Sequence, residues 1–153
     1  MADPLYTGSC RCGDIHISLS VAPIITMACH CKGCQKMTAS AFSLSALVPD
    51  AAVDFDGPEP VLGGAMNPDQ RHYFCPNCMS WLYTRINGLD GFVNLRSSLL
   101  DDAAGMEPFV ETCTAEKLPW AETKAQRSFD AMPTEEGFRE AIGAYQATVK
   151  AKG

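Results

Sequence analysis

The residues best suited to chemistry in this chain are its cysteines, because seven of the eight fall into three short clusters. The clusters are Cys10-x-Cys12, Cys29-x-Cys31-x-x-Cys34 and Cys75-x-x-Cys78. Cysteines one or two residues apart can direct two sulfurs toward one point, which is the local geometry that a tetrahedral zinc–thiolate site needs. The spacing therefore predicts bound zinc.

Seven sulfurs divide most naturally into a closed set of four and an open set of three, since one zinc ion takes four ligands. The middle cluster supplies three ligands within six residues, and a fourth from the same short loop would be sterically awkward. The first and third clusters supply two ligands each. The predicted structural site consists of Cys10, Cys12, Cys75 and Cys78. The predicted open site consists of Cys29, Cys31 and Cys34.

The two predicted sites have different consequences. The four-cysteine site would join distant parts of the chain, so the free energy of metal binding would become free energy of folding. The three-cysteine site leaves a coordination position at which zinc can hold a substrate thiolate or lower the pKa of a bound water. In the alternative interpretation His30, Cys113 or a carboxylate closes this site, and the second ion is only structural.

Two other uses of clustered cysteines fit the sequence less well. Short-spaced pairs strain badly when they are oxidised to disulfides, and the Cys-x-Cys spacing matches neither common ferredoxin arrangement. The first residues show no basic segment followed by an apolar one, so we expect a cytoplasmic protein whose thiols stay reduced.

The composition and length of the chain limit the classes of partner and the number of domains that we expect. The formal net charge is −6, and no cluster of Lys and Arg occurs, which argues against nucleic acids and anionic membranes as main partners. No apolar stretch approaches the roughly 20 residues of a membrane span. A chain of 153 residues has the length of one domain, so we expect a single zinc-binding domain over residues 1–153.

The elements that position the cysteines are expected to be mainly strands, followed by one helix. The prolines and glycines between Gly57 and Gln70 predict a loop. A capping Thr134 and an apolar stripe at helical spacing predict a helix from Thr134 to Lys150. Strands are predicted at Asp14–Val21, Ala41–Val48, Val53–Phe55, Arg71–Phe74, Ser80–Ile86, Phe92–Leu95 and Phe109–Thr112.

Several residues outside the two predicted ligand sets could support the open site or its substrate. His30 lies between two predicted ligands and is expected to point away from the ion, as a loop or supporting residue. Cys113 ends an apolar strand and is predicted to be a small buried side chain. Four cations could neutralise substrate carboxylates, but they are predicted to be solvated surface charges. They are Lys32, Lys36, Arg71 and Arg96.

The order of the clusters and their flanking residues resemble the glutathione-dependent formaldehyde-activating enzyme and centromere protein V family. The matching segments are Gly8–Gly13, Cys29–Lys36 and Arg71–Cys78. The likeness extends from about Thr7 to Trp120, so that the family-like core covers about residues 7–120. Family members commonly carry Gly where Met79 stands here, which implies a slightly different turn.

The resemblance implies a mainly β fold of the β-tent type, with two zinc ions per chain and the C-terminal helix outside the family-like core. It assigns the four-cysteine set to a structural site and the three-cysteine set to a catalytic one. The implied activity is that of a carbon–sulfur lyase, which forms S-(hydroxymethyl)glutathione from formaldehyde and glutathione. Because the family is broad, the substrate is another thiol–aldehyde adduct in a second interpretation.

Two rivals from other functional classes remain at this point. The first is a non-catalytic zinc-binding module with a structural or protein-interaction role. The second is a chromosomal or cytoskeletal adaptor, as the centromere name implies. The chain lacks the basic or disordered extension that such an adaptor would need.

Overall fold

The computed structural model describes residues 3–153 and shows a mainly β fold with a C-terminal helix, which confirms the predicted fold class. The strands are β1 Tyr6–Ser9, β2 His16–Leu19, β3 Ile25–Cys29, β4 Ser43–Pro49, β5 Val53–Asp56, β6 Val61–Asn67, β7 Gln70–Phe74, β8 Trp81–Ile86, β9 Phe92–Leu95, β10 Val110–Thr112 and β11 Arg127–Ser128. The α-helices are α1 Lys32–Thr38 and α2 Glu135–Lys152. Short 3₁₀ turns lie at Asp50–Ala52, Ser97–Leu99, Ala103–Gly105 and Thr114–Glu116.

The chain divides into two compact units. The first unit consists of the residues up to Pro23 together with Ala46–Met106, and the second of Ile24–Ser45 together with Glu107–Gly153. Strand β4 contributes residues to both units. The single zinc-binding domain over residues 1–153 stays a prediction.

The first unit is built from antiparallel strands. Strands β1, β2 and β5 pair in that order, and strands β9, β8, β7 and β6 pair in that order, with the end of β4 against β9. Alternation in the sequence places one face of β2 inward, because side chains along a strand point to opposite faces. The residues buried in the core of the first unit include Ile15, Ile17, Leu19, Val48, Leu82, Val93 and Leu95.

The second unit combines short parallel strands with both helices. Strand β10 lies between β3 and β11 and runs parallel to each of them. Helix α2 starts where the Thr134 hydroxyl accepts a hydrogen bond from the Gly137 N–H at 3.1 Å, as its capping role predicts. Gln146 on this helix donates to the Ile24 carbonyl at 2.7 Å, and Tyr145 contacts Phe109 edge-on. Neither α1 nor α2, the α-helices within residues 3–153, has the length and apolar character to cross a membrane.

Several elements differ from the sequence predictions. The loop predicted between Gly57 and Gln70 is wrong, because that segment contains β6, which pairs with β7 from Val61↔Phe74 to Gly63↔His72. Backbone pairing to a neighbouring strand can outweigh a weak strand preference of the local sequence. Strands β1, β3 and β11 and helix α1 were also missed. Strand β3 has only five residues and no regular alternation of apolar and polar side chains, and α1 has only seven residues.

Candidate metal centres

The first cysteine group brings together two turns of the first unit. The Sγ atoms of its four members lie within 4.8 Å of one another, with 3.5 Å between Cys10 and Cys12 and 3.9 Å between Cys12 and Cys75. Ligands about 2.3 Å from a tetrahedral zinc lie about 3.8 Å from each other. The donor set and its spacing therefore fit a zinc ion. The members are Cys10, Cys12, Cys75 and Cys78.

Local backbone geometry turns the sulfurs of each pair toward each other. In the first turn, the Gly13 N–H donates to the Cys10 carbonyl at 3.0 Å, and Gly13 has a φ of 84° that glycine adopts without strain. In the second turn, the Met79 N–H donates to the Cys75 carbonyl at 3.0 Å, and Met79 has a φ of 58°. Met79 thus takes the left-handed conformation that glycine favours, and its backbone is strained there.

Polar contacts link the two turns and lower the pKa of Cys78. The Arg11 N–H donates to the Ser80 hydroxyl at 3.1 Å, and the Asn77 amide donates to the Asp14 carboxylate at 2.8 Å. Burial raises the pKa of Cys78, but hydrogen bonds with Ser80 and Cys12 outweigh it and lower this pKa to about 6. A lowered pKa prepares the thiol for metal binding, because the thiolate is the form that binds.

The second cysteine group lies entirely within a short segment of the second unit. Cys29 ends β3, Cys31 caps α1, and Cys34 lies in the first turn of that helix. Their Sγ atoms lie within 4.8 Å of one another, and all three residues are half-buried. Among residues 3–153, no further Cys, His, Asp or Glu ligand atom joins this group at that distance. Three thiolates at this spacing fit an ion that keeps one position for another ligand.

Helix α1 explains how three cysteines in six residues converge. The Cys31 Sγ accepts a hydrogen bond from the Cys34 N–H at 3.3 Å, as an N-capping side chain does. A hydrogen bond from the Cys34 thiol lowers the pKa of Cys29 to about 5, although burial acts against it, and the same contact raises the pKa of Cys34. Cys29 is therefore the member of the group most readily present as a thiolate.

A buried contact between an imidazole and a carboxylate lies beside this group. His30 is fully buried, and its Nε2 lies 3.0 Å from Oε2 of Glu111. Burial raises the pKa of Glu111, but its hydrogen-bond donors lower it to about 2. The other donors to this carboxylate are Ser128 at 2.8 Å, Thr123 at 2.9 Å and Lys117 at 3.2 Å.

Glu111 is the principal residue that the sequence prediction missed. It occupies the middle of β10, between Val110 and Thr112, where both neighbours and the carboxylate itself are buried. A single charged residue within a predicted apolar strand was the one available indication, because a buried charge requires partners. Those partners come from distant parts of the sequence.

The remaining residues for which the sequence made predictions differ in how far they are buried. Cys113 is buried, as expected, and its pKa is raised to about 12 by burial and by the negative charge of Cys29. Arg96 was predicted to be a solvated surface charge, and this is wrong. It is 6% exposed, with its guanidinium 4.0 Å from the ring centre of Trp81, because a cation stacked on an aromatic face can be withdrawn from water. Lys32, Lys36 and Arg71 are exposed.

Comparisons with known proteins place the chain in a family. The model of the family described as "Glutathione-dependent formaldehyde-activating enzyme" matches residues 5–116, a range that contains all seven clustered cysteines. No curated protein matches the chain. The crystal structure of a Rhodobacter sphaeroides protein is similar, with a TM-score of 0.51 and 16% identity over 63% of this chain and 88% of that one. At this identity the likeness concerns the fold alone. Because the family match covers most of its length, the chain belongs to the glutathione-dependent formaldehyde-activating enzyme family.

Proposed function

We propose that this chain is a zinc-dependent enzyme of the carbon–sulfur lyase type that acts on a thiol–aldehyde adduct. Formation of S-(hydroxymethyl)glutathione from formaldehyde and glutathione is the leading candidate reaction, and the cytoplasm is its proposed location. The observation that carries the proposal is the three-cysteine group, which is half-buried and has, among residues 3–153, no fourth Cys, His, Asp or Glu ligand atom within 4.8 Å of all three sulfurs. Membership of the family supports the choice of substrates.

The proposal assigns different tasks to the two groups. The four-cysteine group would hold a structural zinc, and the catalytic group would hold the zinc at which substrate binds. Bound there, zinc would stabilise a substrate sulfur as its thiolate and polarise a carbonyl oxygen. The proposed structural ligands are Cys10, Cys12, Cys75 and Cys78. The proposed catalytic ligands are Cys29, Cys31 and Cys34.

The chemistry of the proposed reaction requires no redox partner. One carbon–sulfur bond forms, the carbonyl π bond breaks, and the thiol proton ends on the former aldehyde oxygen. The chain's contribution is to present three sulfurs from the end of β3 and the start of α1 at a half-exposed position. A small thiol can reach such a position, whereas a fully buried group would exclude it.

Two-dimensional NMR exchange spectroscopy tests the proposal directly. Cross-peaks connecting formaldehyde with its glutathione adduct should intensify when the protein is added, because a catalyst raises the rate of exchange in both directions. Cys31→Ser is the matched control, which removes one proposed ligand. Protein that carries two zinc ions per chain and leaves the spontaneous exchange rate unchanged would exclude glutathione as the thiol.

A non-catalytic zinc-binding module is the second candidate, and the position of Cys113 favours it. The preceding residue, Thr112, is the Cα partner of Cys29 in the pairing of β10 with β3, and the Cys113 thiol contacts that of Cys29. X-ray absorption at the zinc edge separates the two candidates. An average of four sulfurs per zinc supports the closed module, and an average of about three and a half supports the proposed enzyme.

A further inference from the structure

A buried carboxylate–imidazole contact lies beside the three-cysteine group, and the proposed ligands do not include it. His30 is 0% exposed and Glu111 is 7% exposed. Because an ionised carboxylate only accepts hydrogen bonds, the hydrogen in this 3.0 Å contact belongs to Nε2 of His30. The contact therefore fixes both the orientation of the ring and the nitrogen that donates.

Glu111 is itself held rigidly. Oε2 accepts hydrogen bonds from His30 and from the Thr123 hydroxyl, while Oε1 accepts one from the Ser128 hydroxyl. The Lys117 ammonium lies 3.2 Å from Oε2 and 3.4 Å from Oε1, and so neutralises the charge. A carboxylate with donors on both oxygens cannot rotate without breaking several hydrogen bonds. The orientation of His30 is therefore set by a fixed support.

The backbone of His30 is fixed as well. Its N–H donates to the Thr112 carbonyl at 3.0 Å, and its own carbonyl accepts from the Gln35 side chain at 2.7 Å. The residue is thus held at its ring, its N–H and its carbonyl. Since Cys29 and Cys31 are its immediate neighbours, these contacts determine the directions in which their side chains leave the backbone.

The other ring nitrogen of His30, Nδ1, makes, among the described residues, no hydrogen bond that would stabilise the fold. Nδ1 is buried and has no hydrogen-bond partner within residues 3–153. A buried polar atom without a partner destabilises a fold, so such atoms occur where a local arrangement serves something other than stability. The ring also meets Phe42 edge-on at 5.3 Å, which restricts its alternatives.

We propose that His30 and Glu111 are positioning residues that set the metal affinity of the three-cysteine group. They act through the backbone of residues 29–31, by holding two of its three sulfurs at the spacing that an ion requires. This inference rests on the proposed function, because it takes that group to be the catalytic zinc site. It assigns the pair no role at the four-cysteine group.

Competition with a chromophoric zinc chelator measures the affinity of both groups in one molecule. His30→Ala should lower the zinc affinity of the three-cysteine group about 10–100-fold, the usual effect of removing a group that supports metal ligands. The affinity of the four-cysteine group should not change. Glu111→Gln should act in the same direction, because its NH₂ group would face donors where an acceptor stood. Glu122→Gln, which removes an exposed carboxylate of the same unit, is the matched control and should have no effect.

A second measurement distinguishes an effect of His30 on the three-cysteine group from an effect on the stability of the whole fold. Co²⁺ substituted into the protein reports the geometry of its ligands through its visible absorption, so the band from the three-cysteine group should shift in His30→Ala. His30→Gln should restore part of the affinity, since its amide can donate toward Glu111. Unchanged affinity, or equal loss at both groups in all three variants, would overturn the inference. If the wild-type protein binds only one ion, the proposed function fails instead.

Discussion

The two cysteine groups use the same donor atom in opposite settings. The four-cysteine group joins turns that are 63 residues apart between Cys12 and Cys75, and two of its members are buried within the core of the first unit. The three-cysteine group lies within six residues at one strand end and one helix start, and all its members are half-buried. An ion that closes a long loop contributes to folding, whereas an ion held by a local segment contributes little and is free to take a substrate.

The largest expected effect is the loss of a ligand from the four-cysteine group. Cys75→Ser should prevent stable folding, because structural zinc binding is worth about 10–16 kcal/mol while a whole domain has a stability of about 5–15 kcal/mol. Thermal unfolding followed by circular dichroism measures this. Cys113→Ser is the control, since it replaces a buried cysteine outside both groups. A folded Cys75→Ser protein with the wild-type Tm would contradict the structural assignment.

Loss of a ligand from the three-cysteine group should leave the fold in place. In Cys31→Ser the serine hydroxyl can still cap α1, so we expect Tm to fall by no more than about 4 °C, or about 1 kcal/mol. The zinc content should fall from two ions per chain to one, and the exchange of formaldehyde with its adduct should return to the spontaneous rate. Elemental analysis and NMR measure these quantities. Global unfolding would show that both groups are structural.

The stabilisation from Glu111 should depend on pH in a defined direction. Its pKa in the folded protein is about 2, below the value of about 4.3 in an unfolded chain. The carboxylate therefore contributes stability above the unfolded pKa, on the order of 3 kcal/mol, and this is lost as the pH falls toward 2.

This dependence is best measured in the Cys31→Ser background, where metal binding at the three-cysteine group does not contribute. The free energies of unfolding in urea, measured with and without Glu111→Gln, should differ by on the order of 3 kcal/mol near pH 6 and progressively less toward pH 3. The exposed Glu122→Gln serves again as the control. A difference that stays constant over this range would show that the charge of Glu111 is not the source of its contribution.

The smallest expected effects concern backbone strain beside each group. Met79 follows the four-cysteine group with a φ of 58°, and Ala39 ends α1 with a φ of 50°. Replacing either residue by Gly relieves about 1–2 kcal/mol of backbone strain in the folded protein. It also costs about 0.5–1 kcal/mol, because glycine loses more conformational entropy on folding. Each substitution should therefore stabilise the protein by up to about 1.5 kcal/mol, measured by urea unfolding. Destabilisation by Met79→Gly would mean that the methionine side chain packs favourably despite being 55% exposed.

Predictability from the sequence varied with the range of the interactions involved. The helix predicted at Thr134–Lys150 corresponds to α2 at Glu135–Lys152, because its cap and apolar stripe are local features. Strand β6 was predicted to be a loop because of its glycines. Its pairing with β7, a partner that the local sequence does not reveal, outweighs them. The assignment of cysteines to metal sites stays a prediction, although the structure brings their sulfurs within 4.8 Å in two groups.

The donor chemistry, the family and the mainly β class could be read from the amino-acid sequence, because cysteine spacing and strand alternation are properties of neighbouring residues. The contact of a glutamate in β10 with His30, and the hydrogen bonds that Ser128 and Thr123 donate to that glutamate, became visible only in the folded chain. The folded chain also places Arg96 against Trp81 rather than in water. These contacts join residues far apart in the chain, and no local pattern specifies which distant donor satisfies a buried charge.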